Sequence, residues 1–446
     1  MKLILITILF LVLSIDCYSD KFNSFIAIKT DLENVDNKIE IAIKDNIDVV
    51  GFATTAGSLA LKNNFPTKDA FIIQKLKKNN FIIYGKTNLS EWANFRSTKS
   101  ISGWSSIGGQ TFNTHGKNNN PCGSSSGSAV AVSSGILNIS IGTETNGSIS
   151  CPASVNGIVG MKPTVGLVSR SGIIPISYSQ DTAGPMGKDV KSVAEVLEII
   201  SGRDEKDFLT HKIPISFNFN FTKDLNKNSL QGKRFGLLKS GYDDIEGKRL
   251  IDDLIKIIEK EGGIIFEIDD TRKYPGEYSY FLLLYEFKTG IENYLINSNS
   301  EYSKLKDIID FNEKNKEKVM TYFDQDIFYE SNKASKNPNK YIQSIKEINQ
   351  INKQTYNLFN KFKLDAMIGL TRNPAWKIDY KNGDDGAMSK QRRWGNGHFA
   401  AIAGLPHITV PFRKIDGLPV GVSFIGSLWS DKEIIEMAYS FEQVIK

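Results

Sequence analysis

The sequence predicts an α/β fold, a β-sheet sandwiched between helices on both faces. Two observations carry the prediction. Short apolar runs of strand length alternate with amphipathic stretches of helical period. The composition, 40% hydrophobic and 24% charged, is that of a globular chain; it excludes disorder, collagen-like repeats and a multi-span membrane protein. At 446 residues the length alone suits about two or three domains. However, Gly-rich text is concentrated in 40–190, and strand-like text returns after Trp394. One layered domain over 20–446 is therefore expected, with core segments 25–205 and 395–446 around a variable helical region, 206–394.

The elements follow in order. Met1 and Lys2 open the chain, Leu3 to Leu13 is apolar except for Thr7, and Asp16 ends the run. About eleven residues are too few to span a bilayer. A basic start, a short apolar core and small residues near Cys17 and Ser19 describe a secretory signal over 1–19. Export to the periplasm or medium is expected, with an uncleaved N-terminal anchor as the alternative; no other stretch could span a membrane once the signal is removed. Ile39 to Ile43 then reads as a strand, Asp69 to Lys78 as a helix and Phe81 to Tyr84 as a strand. Ile136 to Ile141 and Arg234 to Leu238 are strands, Leu250 to Glu261 is an amphipathic helix and Ile264 to Ile268 a strand. Ile408 to Phe412 and Val420 to Ile425 close the series.

Charge and cysteine usage exclude several functions. The excess of 55 Lys and Arg over 50 Asp and Glu is small and scattered, which is no nucleic-acid footprint. Lysines beside carboxylates, such as Lys44 beside Asp45, read as solvated faces. Three cysteines and four histidines have no metal-ligand spacing, so neither a metal nor a cofactor is expected. Free thiols are the expectation for Cys122 and Cys151; a disulfide between them requires an oxidising compartment. Gly85-Lys86-Thr87 follows a strand as a phosphate-binding loop would, but Asn80 stands where that loop needs its first glycine.

The chemistry is densest from Cys122 to Ser128 and from Gly142 to Ile149. The second stretch places Thr145-Asn146-Gly147-Ser148 in a turn after a strand, where successive N–H groups can converge on one oxyanion. A serine ending that turn can be nucleophile and oxyanion donor together. A flexible Gly/Ser loop, or an anion-binding nest without catalysis, has the same composition. A serine nucleophile needs a base, and no histidine falls here. Lys44, at the end of an apolar strand, can serve only if burial makes it neutral; taken alone, a strand-end lysine is ordinarily a solvated charge.

Taken together, Ile41 to Ile47 (IAIKDNI), Gly85 to Glu91 (GKTNLSE), Gly123 to Ser128, Gly142 to Ile149 (GTETNGSI), Gly157 to Thr164 (GIVGMKPT) and Asp181 to Met186 (DTAGPM) resemble the amidase signature family in order and spacing. The resemblance resumes at Gly404 to Phe412 and Gly417 to Gly426. It implies a central mixed sheet flanked by helices and a Ser–cis-Ser–Lys triad: Ser148 as nucleophile, Ser124 as relay and Lys44 as base. It also implies a cis peptide at Gly123–Ser124 and an oxyanion hole from the backbone N–H groups of Thr145, Asn146, Gly147 and Ser148. Cys122 and Ser126 stand where the family commonly has glycine, as does Asn146; Glu144 replaces a frequent aspartate and Ser150 a frequent arginine. The implied activity is hydrolysis of a small-molecule amide through an acyl-enzyme. The family also allows a glutaminase component of a tRNA-dependent amidotransferase, against which the leader argues, and a binding protein with a dead site, against which the intact triad argues. The pocket is expected to draw on 205–395; Trp376, Trp394 and His398 there are expected to pack in the core.

Overall fold

The computed structural model describes residues 20–29, 37–239, 242, 244–389, 391, 394–395 and 397–446; the expected signal, 1–19, lies outside them. Thirteen strands are present among the described residues: β1 (Phe25–Ile28), β2 (Ile39–Lys44), β3 (Phe81–Thr87), β4 (Trp104–Ser105), β5 (Gly109–Gln110), β6 (Ile139–Glu144), β7 (Val159–Lys162), β8 (Thr182–Gly187), β9 (Arg234–Leu238), β10 (Ile264–Ile268), β11 (Ala366–Leu370), β12 (His407–Ile415) and β13 (Leu418–Ile425). Eleven form one sheet in the order β1-β3-β2-β6-β8-β7-β12-β13-β11-β9-β10; β4 and β5 pair separately. The sheet is mixed: β2 runs parallel to β3 and β6, whereas β6, β8, β7, β12 and β13 pair antiparallel in turn.

Helices cover the sheet as the alternating pattern predicts. The largest apolar cluster joins β2, β3, β6 and β12 to α1 (Phe71–Lys78) through Ile73 and Leu76. The C-terminal helix Asp431–Ile445 enters that cluster through Ile434 and Phe441. A smaller cluster packs α2 (Ser126–Ser133) and α3 (Ser150–Asn156) together through Ala129, Val132 and Ala153. These two short helices carry almost nothing larger than valine, so they lie close to the strands whose ends they support.

Boundaries shift where hydrogen bonding overrides periodicity. The first helix starts at Phe71 because the Ala70 N–H is donated back to the Asp48 carbonyl at 2.9 Å. β6 starts at Ile139, where its ladder with β8 begins opposite Gly187; Leu137 N–H instead closes a turn onto the Ala131 carbonyl. The amphipathic helix begins at Ile245, because Asp244 caps it by accepting from the Gly247 N–H at 2.8 Å. Gly85-Lys86-Thr87 lies inside β3. A Cβ at Gly85 would sit 2.4 Å from the Ala27 carbonyl oxygen of β1, so this glycine serves strand approach rather than a phosphate loop.

The middle of the chain supplies more than helices. β9, β10 and β11 extend the far edge of the sheet in parallel pairs. The long helix Gly276–Asn297 builds a separate apolar cluster with Trp92, Phe95 and Phe328. That cluster braces the loop after β3, and the loop in turn braces the serine-rich segment.

Candidate active site

Lys44, a solvated charge by its sequence neighbours, is fully buried, and so is Asp45. Both corrections have one cause: β2 lies inside the sheet between β3 and β6, so nothing at its C-terminal end reaches solvent. The Lys44 Nζ is 2.8 Å from Ser124 Oγ, 2.8 Å from Thr143 Oγ1 and 3.2 Å from the Thr143 carbonyl. Asp45 turns away to pair with Lys86 at 3.0 Å. Burial therefore lowers the Lys44 pKa to about 7, against the weaker opposing fields of Asp181 and Glu144. A neutral amine has two N–H donors and one lone pair. The two Thr143 oxygens can take the donors, leaving the lone pair for the Ser124 hydroxyl.

Ser124 follows a cis Gly123–Ser124 peptide, as the resemblance implies. Gly123 leaves room for its neighbours: a Cβ there would lie 2.1 Å from Ser90 Oγ and 2.8 Å from Ser102 Oγ, so one of them would have to shift. The loop after β3 holds this segment from behind. Ser90 N–H is donated to the Ser124 carbonyl at 3.1 Å, and Gly127 N–H to the Asn88 carbonyl at 2.9 Å.

The third segment leaves β6. Thr145, Asn146, Gly147 and Ser148 lie between the strand end and α3, with Gly147 at φ +86°, a conformation glycine adopts without strain. Ser148 is 8% exposed. Its carbonyl accepts from the Ser125 N–H at 3.1 Å, which sets the two serine loops side by side. Glu144 shapes the turn from below: its Oε2 accepts from the Ile149 N–H at 2.8 Å and the Ser150 N–H at 2.9 Å.

Sequence reasoning assigns no role to four participants. Thr143 contacts Lys44, and Asn46 Nδ2 donates to Thr143 Oγ1 at 3.1 Å. Asp181 accepts from Thr145 Oγ1 at 2.5 Å and from the Ile176 and Ser177 N–H groups at 2.7 and 2.8 Å; burial raises its pKa to about 6. Glu144 is the fourth. All lie within the motif blocks, so their signal is position in a block rather than residue type.

Cys122 and Cys151 form a disulfide, against the expectation of free thiols. The fold brings their Cα atoms to 6.0 Å, and the bond ties the segment before Ser124 to the helix after Ser148. It also lines a cavity of about 340 Å³ with Gly123, Asn146, Gly147, Trp376 and Met388. A second cavity of about 820 Å³ is lined in part by Ser124, Thr143 and Thr145; Ser148 is among the lining residues of neither. The ring expectation divides. Trp394 is core, its Nε1–H donated to Asp244 at 2.8 Å. Trp376 is buried but lines the smaller cavity. His398 stacks edge-on against Tyr274 at 4.6 Å, whose hydroxyl accepts from Asn146 Nδ2 at 3.3 Å.

Comparison with known proteins identifies the family. The Amidase family profile matches residues 38–435. A probable amidase of Arabidopsis thaliana is 34% identical over 91% of this chain and 76% of its own length. A glutamyl-tRNA(Gln) amidotransferase component from Sulfurihydrogenibium is 33% identical over 93% of this chain and 85% of its own. The crystal structure of peptide amidase from Stenotrophomonas maltophilia superposes with a TM-score of 0.89, at 38% identity, over 96% of this chain and 90% of that one. The chain belongs to the amidase signature family and is a hydrolase acting on the carbon–nitrogen bonds of amides.

Proposed function

We propose that this chain is a stand-alone amidase in which Ser148 forms the acyl-enzyme, Ser124 relays the proton and Lys44 is the base. The observation that carries the reading is the Lys44–Ser124 contact of 2.8 Å at an amine whose pKa burial brings to about 7. Neutral Lys44 takes the Ser124 proton, Ser124 takes that of Ser148, and the Ser148 oxygen bonds to the amide carbon. The N–H groups of Thr145 to Ser148 stabilise the oxyanion, each donor worth about 3–4 kcal/mol. The relay then returns the proton to the nitrogen as the C–N bond breaks. Water attacks the ester along the same path, releasing acid and free Ser148. The acyl group lies in the cavity of about 340 Å³ beside Gly123, Asn146 and Gly147, a size suited to a small molecule.

The closer structural likeness to a peptide amidase favours a peptide-like or other small linear amide. The likeness to an amidotransferase component favours a second reading, release of ammonia from glutamine for a partner enzyme. Export is part of the proposal: the leader supports it, and so does a disulfide at the site, since such bonds persist in oxidising compartments. N-terminal sequencing of the secreted or periplasmic fraction should find Met1 removed.

Two measurements test the reading. An activated phosphonate should label Ser148, seen as an adduct on the peptide containing it. Ser148→Ala should abolish both labelling and turnover, by up to about 10⁶-fold if the three groups act as one unit. A variant keeping a tenth of the activity would reject Ser148 as nucleophile.

A further inference from the structure

We infer that the larger cavity is a binding site for the amine half of the substrate, so that the enzyme cleaves N-substituted amides and releases an organic amine. The inference rests on the Ser148 acyl-enzyme reading and adds what lies on the other side of the scissile bond. In the collapsing adduct the C–N bond breaks, its electron pair stays on nitrogen, and nitrogen takes the proton from the Ser124 hydroxyl. The nitrogen must therefore lie within hydrogen-bond reach of Ser124 Oγ. Ser124 does not line the smaller cavity, whose walls are Gly123 and the oxyanion segment. It opens on the larger one, together with Thr143 and Thr145. A substituent on that nitrogen can extend into the larger cavity.

The cavity is built for more than ammonia. An ammonia molecule needs about the volume of a water, roughly 30 Å³, whereas this space is about 820 Å³. One wall is the segment from Arg170 to Tyr178; the other is a single face of the helix Gly276–Asn297, where Gly290, Asn293, Tyr294 and Asn297 recur at helical spacing. At Gly290 the helix touches the opposite wall, since a Cβ there would lie 2.9 Å from Pro175 Cγ. One turn on, the exposed Asn293 donates its Nδ2–H to Tyr178 Oη of the opposite wall at 3.1 Å, so the two walls meet again at the rim of the space. Asp48, whose carboxylate accepts from Tyr294 Oη at 2.7 Å, gives the space a polar side.

The test compares primary amides with the N-butyl amide and anilide of the same acyl group, across a panel of N-acetylated amino acids. At least one substituted amide should be cleaved with kcat/KM no worse than about a tenth of its primary counterpart. Asn293→Trp, which gives up the bond to Tyr178 Oη and whose folding a thermal melt checks, should slow the substituted amide by about tenfold or more and the primary amide by less than about twofold. Asn297→Trp should act in the same direction. Turnover of primary amides alone would overturn the inference and leave the acyl-enzyme reading standing; so would equal slowing of both substrates by Asn293→Trp. An absence of any amide turnover together with no labelling of Ser148 would reject the acyl-enzyme reading, and this inference with it.

Discussion

The C-terminal ends of β2 and β3 each bury a lysine completely, and the two surroundings use the amine in opposite ways. Lys86 meets a carboxylate, Asp45, at 3.0 Å, and also the Ala53 carbonyl and Thr54 Oγ1. It is a compensated buried charge. Lys44 meets two hydroxyls and a carbonyl but no carboxylate, so burial drives it toward the neutral form. The carboxylate that could have held Lys44 charged is the next residue. Successive strand residues point to opposite faces, and Lys86 stands opposite Ile43 in the β2–β3 register. Asp45, two residues past Ile43, therefore falls on the Lys86 side. The comparison teaches that a lysine's chemistry here is set by which face its neighbour occupies, not by how deeply it is buried.

The largest test of that contrast is at Lys44. Lys44→Met should lower kcat by about 10⁴-fold or more, as loss of one member of a catalytic unit does, while the melting temperature stays near that of the native protein. Lys44→Arg should be almost as damaging, because a guanidinium does not deprotonate. An active arginine variant would make Lys44 a structural charge like Lys86. At Lys86 the effects should exchange places. Lys86→Met leaves Asp45 buried without its partner and should cost about 3–5 kcal/mol of stability, read as a lower urea midpoint, while turnover per folded molecule changes far less. Adding Asp45→Asn should recover part of the loss.

Reduction of the Cys122–Cys151 bond comes next. Closing a loop with a sequence separation of 29 residues is worth roughly 3 kcal/mol, so Cys151→Ala should lower the melting temperature. Because the bond tethers both serine loops, the same variant should reduce kcat more than it raises KM. Unchanged kinetics in the folded fraction would make the bond a staple without influence on the site. The smallest effect is in the pH profile. The base must be neutral, so kcat/KM should rise about tenfold per pH unit below the Lys44 pKa and level off above about 7. A profile still rising near pH 10 would mean that Lys44 keeps the ordinary pKa of a solvated lysine.

Legibility in the sequence follows the range of the forces involved. Strands β9 and β10 are legible to the residue, because apolar runs bounded by Gly and charged residues carry their own limits. The periodicity starts the first helix two residues early, since one backbone bond from Ala70 to Asp48 settles where it begins. At the site, the resemblance to the amidase signature family points to Lys44, Ser124 and Ser148. It passes over Thr143, Asn46, Asp181 and Glu144, because each acts through a contact that only the folded loops create.

The sequence by itself determined the alternation that makes an α/β layer, the glycines that let the serine loops close on their neighbours, and the order of blocks that places this chain in its family. Tertiary structure alone decided the state of the charged and sulfur-bearing groups. Lys44 and Asp45 are solvated text in one dimension; the interior of the sheet excludes water from both, and from Lys86 beside them. Cys122 and Cys151 are separate thiols in the sequence, joined only where two loops meet. Desolvation and proximity belong to three-dimensional neighbours, and a one-dimensional pattern fixes neither.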